Sequence, residues 1–227
     1  PVADVLESIK VSSRKGWRLS PDKIYAIANL LLNTDALKEG MLKLEEVPLL
    51  VQKSKEIRFL KELKKLLLKS VDKSGRIYDN ATSSLAEIRR RIRKLQEKVR
   101  SRMEAMAVSL YEKGSLRDPI VTIRDGRFVL PVKAGSARDV PGTIRDRSST
   151  GATFFIEPKI SLSDNIELNK LDIEESKEIN RILTDLTEKI GEKAKDIQQN
   201  YEILLEMDLI QAKARFSDEI DSSPVFP

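Results

Sequence analysis

The stretch Pro119-Ile120-Val121-Thr122-Ile123-Arg124-Asp125-Gly126-Arg127-Phe128-Val129-Leu130-Pro131-Val132-Lys133 does not read as helix. Pro119 cannot continue a helix, since its ring fixes φ and removes the N–H. Ile120-Val121-Thr122-Ile123 and Phe128-Val129-Leu130 are rich in β-branched and aromatic residues, and Asp125-Gly126 between them is a strong short-range hairpin signal. Two further short β-type runs follow, Thr143-Ile144-Arg145 and Ala152-Thr153-Phe154-Phe155-Ile156, before Pro158 stops the pattern.

On both sides the apolar period changes from two to between three and four. Upstream, Leu85, Ile88, Ile92, Leu95, Val99, Met103, Met106 and Leu110 form one helical seam over residues 83–113, with Gly114 as a C-cap. Downstream, Leu168, Leu171, Ile179, Leu183, Leu186, Ile190, Ile197, Tyr201, Leu204 and Leu205 predict one return helix over residues 163–217. Near the N-terminus, Ser20-Pro21-Asp22 starts a helix to about Asn33, Asp35 opens a short one through Leu44, and Pro48 begins another through Leu67. Asp72-Lys73-Ser74-Gly75 breaks it, and Arg76-Ile77-Tyr78-Asp79 is extended. The expected fold is mainly α: a helical bundle extended by a long antiparallel helix pair, with a small antiparallel β insert at the tip. The expected divisions are residues 1–82, 83–116, 117–160, 161–218 and a flexible tail, 219–227.

Composition narrows the chemistry. The 227 residues contain no histidine and no cysteine. Ser-His-Asp triads, thiolate nucleophiles, Cys/His zinc sites and disulfides are therefore excluded. Absence of cysteine fits a reducing, cytoplasmic setting. No apolar run spans a membrane, and no Gly-Lys dipeptide of a phosphate-binding P-loop occurs. The net charge of +5 admits a nucleic-acid partner without requiring one. The start at Pro1 and the loop-like Asp218-to-Pro224 end predict a piece of a longer chain.

Strand alternation puts Val121, Ile123, Phe128, Leu130 and Val132 on one face and Thr122, Arg124, Arg127 and Lys133 on the other. Thr143, Arg145 and Arg147 alternate with Ile144 in the same way, and Arg138 lies exposed in the intervening loop. Two readings stand here: a cationic face for phosphate, which the planar guanidinium fork suits, or a solvated face partly neutralised by Asp125, Asp139 and Asp146. The run Arg89-Arg90-Arg91-Ile92-Arg93-Lys94 has the same two readings, with Glu174, Glu175 and Glu178 as the balancing acids. Trp17, among Arg14, Lys15 and Arg18, either stacks on a base or packs onto the bundle. Ser148-Ser149-Thr150-Gly151 is read as a turn, and nothing positions Glu157 and Asp164 around a metal.

Arg127-Phe128-Val129-Leu130-Pro131-Val132-Lys133, Asp146-to-Pro158 and Asn165-Ile166-Glu167-Leu168-Asn169-Lys170-Leu171 closely resemble the second bacterial branch of the MutS family. Asp79-to-Arg89 is similar, and Leu19-Ser20-Pro21 more weakly so. The resemblance implies that the bundle and long helices are the lever and the strand block is the clamp. It also implies that an ATPase domain using ATP and Mg, which dimerises the protein, and a nuclease-like domain belong to the full-length relatives, so this stretch is expected to be non-enzymatic and to bind no cofactor or metal. The partners it implies are duplex or branched DNA, in control of recombination and repair, or alternatively the ribosome and its RNA in splitting collided ribosomes. On that basis the nucleic-acid contacts are expected at Arg124, Arg127, Lys133, Arg138, Arg145 and Arg147.

Overall fold

The structure is a computed structural model that describes residues 4–14, 16–44 and 46–220. The chain divides into two compact units. One contains residues 83–178; the other contains the residues before it together with those from Ile179 onward.

In the first unit, α5 (Ser83–Glu112) leads into the sheet and α6 (Lys159–Glu192) leaves it. The end of α5 is set by Gly114 at φ +78, with Ser115 N–H reaching back to the Leu110 carbonyl. A left-handed glycine with that backward bond closes a helix. The sheet comprises β1 (Thr122–Arg124), β2 (Arg127–Lys133), β3 (Gly142–Arg147) and β4 (Thr153–Pro158), in the order β1-β2-β4-β3 and all antiparallel. The β1–β2 hairpin turns on Asp125 and Gly126, both at positive φ, as a two-residue primed turn requires. Phe128, Leu130, Val132 and Ile156 pack with Val99, Met103, Leu110, Leu168 and Leu171 into one core.

The second unit contains α1 (Leu6–Ser12), α2 (Pro21–Met41), α3 (Pro48–Lys55), α4 (Lys61–Ser70), the end of α6, and α7 (Ala194–Glu219). Ile24, Ile27, Leu31, Ile57, Leu67, Ile190 and Ile197 are fully buried. Asn200 fixes the α3–α4 connection by accepting from Arg58 N–H (2.7 Å) and donating to Arg58 C=O (2.8 Å). The Asp72–Gly75 turn forms as expected: Asp72 is held down at about 2, first by the Ser74 hydroxyl and then by the Arg76 N–H.

Several expectations are corrected. The helices to Asn33 and from Asp35 are one helix, α2, because Asp35 turns inward and pairs with Lys64 instead of capping. The helix expected from Pro48 through Leu67 is two, interrupted where the Lys38 ammonium takes the Lys55 and Ile57 carbonyls at 3.0 and 2.7 Å. The single return helix begins earlier, at Lys159, and breaks at Lys193, whose N–H bonds only three residues back, to Ile190. Gly191 lies beside that break, where the end of α1 comes close. The loop after β2 contains a 3-10 helix, Ala134–Asp139. Trp17 is 54% exposed beneath the Arg14 guanidinium, not packed on the bundle. Of the expected tail, Glu219 ends α7, and residues 221–227 lie outside the described ones.

A Cβ on Gly191 would sit 2.4 Å from the Ser12 carbonyl oxygen, whereas one on Gly40 in α2 meets nothing. Gly191→Ala is therefore expected to cost about 1–3 kcal/mol through overpacking. Gly40→Ala is expected to be neutral or stabilising by up to about 1 kcal/mol. Denaturant unfolding of the two variants checks this, and equal midpoints would contradict the close α1–α6 approach.

Candidate nucleic-acid interface

The strand block is net positive. Residues 117–160 hold eight Lys and Arg against five Asp and Glu, net +3 of the chain's +5. How each cation is held decides what it can do.

Arg124, Arg127 and Arg145 gather around two acids. Glu157 on β4 has a side chain with no exposed surface. Arg145 Nε donates to its Oε2 at 2.6 Å, Arg127 Nη1 to Oε1 at 3.1 Å, and Asn165 Nδ2 to Oε1 at 2.7 Å. Burial pushes the Glu157 carboxyl up, but the hydrogen bonds from Asn165, Arg145 and Arg127 outweigh it and hold the group below its ordinary value. Arg124 spans to Asp146 at 3.2 Å and lies over the Phe155 ring at 4.2 Å. A cation over an aromatic face gains attraction while keeping donors free.

The other three are placed differently. Lys133 donates its ammonium to the Gly114 carbonyl at 2.8 Å, so it caps the end of α5. Arg138 is exposed on the 3-10 helix and forms no ion pair among the described residues. Arg147 lies over Phe154 at 4.9 Å.

Phe128, Leu130 and Val132 are buried as expected, but so is Val129 on the other face, and the alternation does not hold throughout. Ile123 is 53% exposed, because the three-residue β1 is the sheet's edge. In β3 a bulge between Ile144 and Asp146 shifts the register, so Asp146 faces Phe155 and Arg147 faces Phe154. Arg147 therefore shares a face with Ile144, the reverse of the expected pattern, since one extra residue flips every side chain beyond it.

Sequence reasoning missed Glu157 and Asn165 as organising residues. In sequence Glu157 and Asp164 read only as a carboxylate pair that nothing positions at a metal. Asp164 instead accepts from Arg102 at 2.8 Å and lies near Lys98, and no group of three metal-binding side chains occurs among the described residues. Asn165 takes both the N–H and the C=O of Phe128 at 3.3 Å, and no local sequence rule announces that contact. The Ser148–Gly151 segment is the expected turn: Gly151 N–H returns to Ser148 C=O at 2.8 Å, and the Ser148 hydroxyl accepts from Thr153 N–H.

The basic run on α5 meets the acids of α6. Arg89 pairs with Glu175 at 2.7 Å, and Arg91 with Glu174 and Glu167 at 3.4 Å each. No described helix is long and apolar enough to cross a membrane.

No family model matches the chain. Among curated proteins it is similar to endonuclease MutS2 of Pelotomaculum thermopropionicum, 36% identical over 220 residues, which is 95% of this chain and 28% of the relative. It is 32% identical to endonuclease MutS2 of Geobacillus sp. over 226 residues, 98% of this chain and 29% of the relative. It is 34% identical to the putative endonuclease MutS2 of Bacillus subtilis over 212 residues, 92% of this chain and 27% of the relative. The chain thus spans between a quarter and a third of the length of the curated relatives it matches.

The sign of the Glu157 shift gives a pH dependence. A carboxyl whose native value is lowered contributes stability above its ordinary value of 4.5 and loses it as pH falls through the lowered native value. Denaturant midpoints of the natural chain and of Glu157→Gln should therefore converge as pH drops below about 4.5. Curves that stay parallel from neutral pH to pH 3 would show that Glu157 contributes nothing through its charge.

Proposed function

Because this chain belongs to the MutS2 family, we propose that its sheet grips the phosphate backbone of DNA, duplex or branched, as the clamp of a longer MutS-type protein in control of recombination and repair. The carrying observation is the net +3 of residues 117–160, set against a helix pair whose cations are matched by acids. Phosphate contacts position a protein without reading sequence, so binding is expected to be indifferent to base order. The lever role of the helices and the dimer, the ATPase with its ATP and Mg, and the nuclease of the whole protein belong to this same reading. In it, the present stretch is a non-catalytic, cytoplasmic binding part.

Of the six cations, Arg138 and Arg147 are the freest to meet phosphate, Arg124, Arg127 and Arg145 do so from paired positions, and Lys133 chiefly holds the end of α5. Fluorescence anisotropy with a labelled duplex at several NaCl concentrations tests this. Each phosphate contact contributes about −0.9 to the slope of log K against log salt. Arg138→Gln and Arg147→Gln should each weaken binding and flatten the slope by about that amount. Lys65→Gln, an exposed change on α4, should not. Equal slopes for all three variants would remove the phosphate assignment.

A further inference from the structure

Resting on that reading, we propose that Glu157 is a positioning residue that fixes Arg127 and Arg145 as a single two-arginine clasp for one backbone phosphate. Simple electrostatics gives Glu157 the opposite role. A carboxylate on a phosphate-binding face subtracts charge and repels the ligand, so its removal should strengthen binding.

The geometry argues otherwise. Glu157 lies between the two arginines, Arg145 on its Oε2 and Arg127 nearer its Oε1, with no solvent access of its own. It uses one donor of Arg127 and the inner edge of Arg145. A guanidinium has five N–H donors, so both keep donors to spare, and their side chains remain 23% and 31% exposed. The trio is net +1, with both cations held before any ligand arrives.

Three further features keep the carboxylate in place. Asn165 of α6 donates to it while also bridging Phe128 of β2, so a helix and two strands locate one group. Gly142 on the paired strand approaches the Glu157 carbonyl so closely that a Cβ there would lie 2.3 Å from it. The bulge after Ile144 lies at Arg145, the unpaired position of β3, whose guanidinium returns to Glu157. Bulges commonly re-aim one side chain. Arg124 lies outside the clasp, engaged with Asp146 and Phe155.

Ordering an arginine on binding loses roughly 2- to 12-fold in affinity per side chain. Glu157→Gln releases that order while making the face more positive, so the two accounts predict opposite signs. The experiment measures duplex affinity and salt slope for the natural chain, Glu157→Gln and the double variant Arg127→Lys/Arg145→Lys, with circular dichroism at the binding temperature confirming that each is folded. The clasp predicts weaker binding and a flatter slope for both variants, although the first adds net positive charge and the second changes none. Tighter or unchanged binding by folded Glu157→Gln overturns it. If that variant does not fold, the double variant decides alone, and natural affinity and slope there overturn the proposal. Arg138→Gln is measured alongside. A natural chain that binds without salt dependence, with Arg138→Gln unaltered, removes the phosphate reading and the clasp together, whereas a normal slope with only the clasp variants unaffected removes the clasp alone.

Discussion

The sheet unit depends on how one buried carboxylate is neutralised. Glu157 is at the end of β4, where the strand gives way to α6. An unpaired charge buried there would cost several kcal/mol. Arg127 from β2, Arg145 from β3 and Asn165 from α6 supply the compensation, so three separate elements must be in register before Glu157 can be buried. A sheet whose pairing slipped by one residue would send these groups to opposite faces and leave the carboxylate stranded. The ion cluster therefore specifies the strand register in addition to whatever stability it contributes.

The two units use the same device at their least regular points. Asn165 bonds both the N–H and the C=O of Phe128, and Asn200 does the same for Arg58. Each asparagine is fully buried on a helix and bonds both backbone groups of a single residue outside that helix. A carboxamide offers one acceptor and two donors in a plane, so it can stand in for a strand's peptide group. Buried backbone groups must be satisfied, and a helix cannot otherwise offer hydrogen bonds sideways.

Much of this was legible in the sequence. The Asp125-Gly126 hairpin, the seam of α5, the Gly114 cap and the stop at Pro158 each follow from one local rule, and local rules need no partner. The errors fell where a distant group decides. Asp35 reads as a cap until Lys64 is beside it, and the gap after Lys55 is invisible without Lys38 from another helix. The bulge in β3 has no glycine to announce it, yet it moves Arg147 to the opposite face. Six cations could be picked out by type, but the pairing of two of them with Glu157 could not, because that carboxylate is adjacent to none of them in sequence.

Charge placement separates the helices of this unit from its sheet. α5 carries eight Lys and Arg against four Asp and Glu, while residues 161–178 carry two against six, so the +4 of one segment is cancelled by the −4 of the other. The cancellation is direct, with Arg89 on Glu175, Arg91 on Glu167 and Glu174, and Arg102 on Asp164 in descending order along α6. The exposed Arg91 pairs add little stability individually, but together with the part-buried Arg89 and Arg102 pairs they fix an antiparallel register and leave the helix pair nearly neutral beyond about a Debye length. The residual positive field of the unit then originates at the sheet, where Arg138 and Arg147 form no ion pair among the described residues. A long basic helix alone would attract a polyanion along its whole length. Matching it with an acidic partner removes that attraction from the helices and leaves it to the sheet.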